Sequence, residues 1–489
     1  MRRTLLLLLV LAVAGGWLLA GSGGDLRREQ VIAAGVPLTE VHPADGGKHP
    51  GVVVAHGFSG SAKLMAPFGD TLASRGYVVV LLDFTGHGAN TEPLPDQVAG
   101  TDESTEALQR DLATAVAHLR SLPDVDSSKI ALVGHSMGAG AVTRYAAAHP
   151  DVTATVAISL PSAVVASPER PSRLLTMAGA LEFPDFREVA TSVAAERADR
   201  EARIVPWVEH ISILYAPETH RATAAWLDQA FDRPSADDAI PFPARRLFGA
   251  GLLVLAFLIG FHPLVAALAG PAFPRPEPAG GLPGRTVGPV VRLVVVAGLA
   301  AGVAAVVARL LPTTRLPLAV AGYVAAYAAV TGGLLLIGGR WLTPYQERRT
   351  ISGTRLLPAL PYAMVAIALP VHLGMTWAWP TGHRWWLLAV VWLAFGLLAS
   401  ASERISGGDP LRLLAVTGVF ILVLTAAAVT GLTHGFVLLA LFPLIGLMLW
   451  QALWSAILNR FAAPAWVIAL VGAVVVAWPL TVALPIVSH

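Results

Sequence analysis

From about residue 245 to residue 489 the sequence repeats one pattern: an apolar run of some 20 residues, then a short turn rich in Gly, Pro and Arg. Eight such runs are delimited at 247–270, 290–311, 317–338, 357–378, 385–401, 411–431, 436–455 and 464–486, and none contains Asp, Glu or Lys. About 20 helical residues cross the hydrocarbon layer of a bilayer. Inside that layer, where water is absent, a helix satisfies its own backbone polar groups. The half 245–489 is therefore expected to be an all-α transmembrane domain of about eight helices. The run at 357–378 is the least secure, because Pro358, Pro361 and Pro370 could break it or make it re-entrant.

The rest of the chain is different material. Residues 21–244 carry 28 acidic against 17 basic side chains, whereas the remaining positions carry 4 against 17. The overall net charge of +2 is only the sum of the two. A charged fraction of 13% is about half that of an ordinary soluble domain, so a single soluble globule is excluded. The pI near 9.0 reflects Arg in membrane loops, so no nucleic-acid partner is expected. The absence of Cys excludes disulfides, thiolate catalysis and Cys-ligated metals. The 14 His are dispersed without a His-x-x-x-His spacing, and neither a metal nor a cofactor is expected.

Arg2-Arg3 followed by an apolar run at 5–20 reads as a signal-anchor or as a cleaved signal peptide, within a segment 1–24. Under either fate, loop charge gives an orientation. The loops 271–289 (with flanking Arg292), 339–356, 402–412 and 456–463 hold Arg275, Arg285, Arg292, Arg340, Arg348, Arg349, Arg355, Arg404, Arg412 and Arg460. The opposite side holds Arg245, Arg246, Arg309, Arg315 and Arg384. Positive charge is retained in the cytoplasm, so the acidic domain is expected on the extracytoplasmic side of a multi-pass cell-membrane protein. Trp377, Trp379, Trp385 and Trp386 are read as interfacial anchors on that outer side.

Between residues 51 and 233 strand-length and helix-length patterns alternate. Strands are expected at 52–55, 77–82, 130–133, 154–159, 173–177 and 203–208, and helices at 62–74, 104–120, 137–148, 186–202 and 218–231. Such alternation implies a mostly parallel sheet covered on both faces, with its sites at the carboxyl ends of the strands. The domain is taken as 25–240.

The most specific local signal is Gly134-His135-Ser136-Met137-Gly138, directly after one expected strand and directly before a helix. Glycines on either side permit a sharp strand-to-helix turn that presents Ser136 Oγ at a helix N-terminus, as a nucleophile requires. The backbone N–H groups of Met137 and Phe58, the latter in Ala55-His56-Gly57-Phe58 after the first expected strand, are candidate oxyanion donors. His210, at the end of the last expected strand, is the candidate general base. His220 is a competitor inside a helix, where a polar surface role is commoner. The acid is Glu182 or, alternatively, Asp185, both following the strand 173–177.

The elbow at Ser136, the order serine–acid–histidine, His56-Gly57-Phe58 and Asp83-Phe84-Thr85-Gly86-His87-Gly88 together resemble the α/β-hydrolase superfamily, in particular its serine-peptidase-like and esterase or lipase-like members. The resemblance covers roughly residues 35–235. It implies an α/β-hydrolase fold in which Asp83 is structural and His87 is not the base. The stretch 160–173 is too short for a large cap. The expected function is a serine hydrolase that cleaves an ester, thioester or amide of a small-molecule, lipid or peptide substrate at the bilayer. A membrane acyltransferase using the same three residues, or a non-catalytic ligand-binding domain on a transporter or sensor, are the alternatives.

Overall fold

The computed structural model describes residues 2–21, 24–96, 100–234, 239–270, 287–339 and 351–488. Arg275, Arg285, Arg340, Arg348 and Arg349, five of the ten arginines used for the orientation, lie outside the described residues.

After an N-terminal helix α1 (Arg2–Ala20), strands β1 (Arg27–Ala33) and β2 (Val36–His42) form an antiparallel hairpin. Its two-residue turn is Ala34-Gly35, both at positive φ (44° and 85°), the handedness that matches strand twist. Sequence patterning missed this hairpin, because β1 (Arg-Arg-Glu-Gln-Val-Ile-Ala) is a largely exposed edge strand with no apolar run. Next come β3 (His49–Ala55), β4 (Val78–Leu82), a two-residue β5 (Leu94–Pro95), β6 (Val125–His135), β7 (Ala154–Ile158), β8 (Leu174–Gly179) and β9 (Glu201–Val205). The main sheet has the order β1-β2-β4-β3-β6-β7-β8-β9 and is parallel from β4 through β9.

β3 and β4 are buried on both faces, as their unbroken Val and Leu runs require. Helices α2 (Ala66–Ser74), α3 (Asp102–Ser121), α4 (Met137–Ala148), α5 (Pro184–Ala195) and α6 (Pro217–Ala230) supply the cover. Phe68, Leu72 and Leu227 pack from α2 and α6 on one face, and Leu112, Leu119 and Val142 from α3 and α4 on the other. Each such buried side chain contributes about 1.5–3 kcal/mol. The order reverses beside β3: the chain steps from β3 to β4 on one flank and returns to β6 on the other. The crevice at the carboxyl ends of β3 and β6 is thus a topological switch point, where ligands bind in open α/β sheets.

Several expected boundaries move: β3 and β6 begin earlier, at His49 and Val125, and α2 later, at Ala66, and two further shifts bear on the site. The helix expected at 186–202 is α5 and ends at Ala195, because Glu201 and Ala202 are claimed by pairing of β9 with β8. The strand expected at 203–208 ends at Val205. Pro206 cannot donate to a ladder, and Trp207 turns the chain at φ 61°. His210 therefore stands beyond a turn, five residues after its strand.

The α/β domain, which has no large inserted cap, is followed by eight long helices: α7 (Arg245–Ala269), α8 (Val287–Leu310), α9 (Ala321–Gly338), α10 (Ala359–Gly374), α11 (Arg384–Ser406), α12 (Pro410–Val429), α13 (Val437–Arg460) and α14 (Ala465–Ala483). With α1, nine helices among the described residues are long and apolar enough to cross a membrane. The chain is a polytopic membrane protein. The three prolines near 358–370 do not break α10: Pro358 precedes it, and Pro361 sits in its first turn, where its missing N–H would have no partner in any case. Only Pro370 is interior. α1 packs on α7 through Gly15 and Gly249, where an added Cβ on either would press on the other's carbonyl oxygen.

One expectation about the spans is corrected. The run expected to end at residue 401 continues to Ser406, because the helix is stopped only by Gly407 in the left-handed conformation (φ 62°). Glu403 is consequently inside a membrane helix. It is buried and accepts hydrogen bonds from Ser455 Oγ and from Asn459 Nδ2, the latter at 2.9 Å.

The α/β domain is seated on one end of the helical region by the loops at the carboxyl ends of β3 and β4. Ser61 Oγ lies 2.9 Å from Thr376 Oγ1, the rings of Phe58 and Phe436 meet at 4.9 Å, and β10 (Val487–Ser488) pairs in parallel with β5. Arg384, fully buried, donates from Nη2 to the carbonyls of Gly86 (2.8 Å) and Leu484 (3.1 Å), and from Nε to that of Thr481 (3.2 Å). The connections 311–320, 375–383 and 430–436 and the segment 484–488 are thereby at the α/β-domain end, and Arg355, Arg404, Arg412 and Arg460 are at the other. Arg384→Ala is expected to strand the buried carbonyls of Thr481 and Leu484, while Gly86 O keeps the Ile486 N–H at 2.9 Å, and to destabilise the seated state by about 3 kcal/mol. A lowered Tm in detergent and faster hydrogen exchange at 484–488 would report this. Unchanged exchange there would show that Arg384 does not hold the two parts together.

Candidate active site

Ser136 occupies the turn between β6 and α4 at φ 52°, ψ −116°. A side chain is rarely held there without compensation. Here Ser136 N–H donates to Ile158 O on β7 (2.8 Å), and the flanking glycines admit the approach. A Cβ on Gly134 would collide with the backbone of Gly138, and one on Gly138 with the carbonyls of Ala55 and His56. The turn therefore locks Ser136 against the neighbouring strands, with Met137 opening the helix. The Met137 N–H is one of the first-turn amides that have no intrahelical acceptor.

The 205–212 loop brings His210 over this turn. His210 Nε2 lies 3.1 Å from Ser136 Oγ, and its Nδ1 lies 2.7 Å from Glu182 Oε1. The imidazole is held from three sides. Its own backbone carbonyl faces His135 Nε2 at 2.9 Å, Phe186 packs at 4.9 Å between ring centres, and Glu182 fixes the far edge. Glu182 is fully buried in its side chain. Its Oε1 also accepts from Ser159 Oγ (2.6 Å), and its Oε2 accepts from Gly179 N–H (2.9 Å). With a carboxylate as acceptor, Nδ1 carries the proton and Nε2 turns its lone pair to Ser136.

The other acid candidate, Asp185, is exposed in the first turn of α5, where a negative charge favours the helix dipole. The structure does not bring it to His210. His220 is likewise elsewhere, and it is not the surface histidine expected. It is buried, stacks on Phe68 at 4.0 Å, donates from Nε2 to Leu214 O and accepts from Thr71 Oγ1, each at 2.9 Å. Burial pulls its pKa down to about 4.

The histidines around the site are kept neutral. His56 donates Nδ1–H to Gly57 O (2.8 Å) and accepts Phe84 N–H on Nε2 (3.1 Å), and burial lowers its pKa to about 4. His135 and His87 are also pushed well below the ordinary imidazole value by burial. None of the three opposes a positive charge forming on His210. Asp83, raised to about 6 by burial, accepts from Ala62 N–H (2.6 Å) and Ala89 N–H (2.9 Å). It thus ties the Phe58-bearing loop to the loop after β4, the second of the two loops seated on the membrane helices. Ser159 and Phe186 are the site residues that sequence reasoning missed. Ser159 read only as the last residue of an apolar strand, and nothing in its own sequence marks a serine that donates to Glu182. No cluster of metal-ligating side chains occurs among the described residues.

Residues 48–199 match the family model described as "Serine aminopeptidase, S33". Cutinase 1 of Thermobifida cellulosilytica is 31% identical over 121 residues, 25% of this chain and 43% of that protein. The thermostable monoacylglycerol lipase of Bacillus sp. (strain H-257) is 29% identical over 174 residues, 31% of this chain and 63% of that protein. The chain thus spans less than half the length of that cutinase. Among solved structures, the hypothetical protein PA2218 of Pseudomonas aeruginosa aligns with 43% of this chain and 95% of its own, at 14% identity and a TM-score of 0.36.

Proposed function

We propose that this chain, a polytopic membrane protein whose N-terminal domain is an α/β-hydrolase of the serine-hydrolase type, hydrolyses carboxylic esters through Ser136, His210 and Glu182. The observation that carries the reading is the unbroken hydrogen-bonded series Ser136 Oγ, His210 imidazole, Glu182 carboxylate, with the serine on a strained turn. In the proposed reaction His210 Nε2 takes the Oγ proton as Oγ bonds to the substrate carbonyl carbon. The carbonyl oxygen becomes an anion facing the amides of Met137 and Phe58. The tetrahedral adduct collapses, the bond to the leaving oxygen breaks, and His210 returns the proton to that oxygen. Water, deprotonated by His210, then attacks the acyl carbon, the bond to Ser136 Oγ breaks, and His210 returns the proton to Oγ as the acid leaves. Esters are favoured over thioesters and amides because the cutinase and the lipase carry names of ester-cleaving enzymes, although the family model carries a peptidase name.

Purified full-length protein in detergent is expected to hydrolyse 4-nitrophenyl butyrate and to leave the corresponding anilide largely intact. An anilide cleaved as fast as the ester would contradict the ester assignment.

The domain is further proposed to face the extracytoplasmic side. Of the arginines at its end of the helices, Arg246 is engaged by Asp70, and Arg384 and Arg245 by backbone carbonyls. Arg404 and Arg412 stand at the opposite end, consistent with cytoplasmic retention of positive loops. Protease added to intact spheroplasts is expected to digest the α/β domain while the 461–464 turn stays protected. Survival of the domain until permeabilisation would reverse the orientation.

A further inference from the structure

The carboxyl edge of the sheet does two things at once. The loops after β3 and β4 are seated on the membrane helices through Phe58, Ser61 and Gly86. The loops after β7, β8 and β9 leave the same edge of the same sheet and have no such seat among the described residues. They carry large apolar side chains into the open: Val164 is 86% exposed, Leu181 63%, Phe183 67%, Trp207 87% and Ile211 47%. Isolated exposed apolar residues are ordinary, but a contiguous group marks a contact surface.

This group is held together by backbone bonds between two of its loops, and the third joins it where Val165, beside Val164, packs in one cluster with Val193 of α5, the helix that follows Phe183. Leu181 N–H donates to Val208 O (3.0 Å) and Ala180 N–H to Val205 O (2.8 Å), tying the loop that carries Leu181 and Phe183 to the loop that carries Trp207 and Ile211. Trp207 is presented from a backbone at φ 61°, a costly conformation for a bulky residue. The platform surrounds the active site directly, since Glu182 lies between Leu181 and Phe183, and His210 precedes Ile211. No large cap covers it.

We propose that this platform rests in the headgroup region of the leaflet beside the membrane helices, so that the bilayer stands where a cap would, and that the site takes acyl esters of lipids presented from that leaflet. The substrate part of this inference rests on the serine-hydrolase reading above. The occupant is assigned by continuity: the edge that carries the platform is the edge already docked on membrane-spanning helices. Trp379, Trp385 and Trp386, all partly exposed at the same end of those helices, mark the interfacial level. Phe58, whose amide is a proposed oxyanion donor, touches Phe436 of the connection between α12 and α13. The reacting carbonyl would therefore sit next to the lipid boundary.

The natural absence of Cys permits a direct test. Val164→Cys and, at the opposite edge of the sheet, Ser121→Cys, each bearing one fluorophore in full-length protein reconstituted into phosphatidylcholine vesicles, are compared for quenching by nitroxide-labelled lipid. Quenching at position 164 but not at 121 is expected; equal quenching at both, or none at 164, would overturn the membrane contact. In parallel, the double variant Val164→Ser/Trp207→Asn, whose Asn tolerates positive φ, is assayed on two substrates. Hydrolysis of a fluorogenic long-chain acyl ester embedded in the vesicles is expected to fall about tenfold as apolar anchoring is lost. Hydrolysis of soluble 4-nitrophenyl butyrate should be unchanged. Equal effects on the two substrates would overturn the lipid assignment. Quenching at 164 in a protein that cleaves neither substrate would retain the contact and overturn the enzymatic reading, its substrate included.

Discussion

Ser136→Ala in the full-length protein is expected to lower kcat for ester hydrolysis by about 10⁵-fold to 10⁶-fold, close to the loss seen when the nucleophile of a serine triad is removed. The fold should survive. Among the described residues Ser136 Oγ has one hydrogen-bond partner, His210 Nε2, whereas the turn is fixed by its backbone bond to Ile158 and by Gly134 and Gly138. His210→Ala should cost a similar factor. Because nucleophile and base act as one unit, Ser136→Ala/His210→Ala should be no slower than either single variant. Losses that multiply would mean that the two residues do not share a step. The rate that remains would come from binding and from the Met137 and Phe58 amides, which neither change touches.

Glu182→Gln is the second large effect, about 10²-fold to 10⁴-fold in kcat/KM, and its size follows from the hydrogen bonds. Oε2 of Glu182 accepts from Gly179 N–H, which only donates, so the carbonyl oxygen of a glutamine must take that place. The amide nitrogen is then turned to His210 Nδ1 and Ser159 Oγ. Ser159 can reverse its hydroxyl and accept, but Nδ1 facing a donor must give up its proton. The imidazole is left protonated on Nε2, where it donates to Ser136 instead of accepting. Asp185→Asn, at an exposed helix start, should change kcat/KM by less than about twofold. The reverse ranking would move the acid role to Asp185.

The parallel strands and the spans were legible because burial on both faces, or in lipid, leaves continuous apolar runs such as Val52-Val53-Val54-Ala55. The elbow was legible because close approach demands glycine at fixed positions around Ser136. The hairpin of β1 and β2 was not, since an exposed edge strand has no such demand. Glu403 escaped because hydropathy fades where a helix leaves the apolar layer, while the helix itself runs on to Gly407. Of the site, Ser136, His210 and Glu182 were named from order and spacing, but the contest between Glu182 and Asp185 was open. Only Phe183 and Pro184 separate them, and only the path of the backbone around Gly179 turns one inward and leaves the other in water. Ser159 and the apolar platform were invisible for the same reason: both depend on which loops become neighbours.

The central claim is that Ser136 is a nucleophile activated by His210 and Glu182, and the most direct test is covalent. The full-length protein is incubated with a fluorophosphonate in detergent, digested, and the modified peptide mapped. The account predicts a single adduct on Ser136, abolished in Ser136→Ala and strongly slowed in Glu182→Gln. An adduct on another serine, or undiminished labelling of Ser136→Ala, would contradict it.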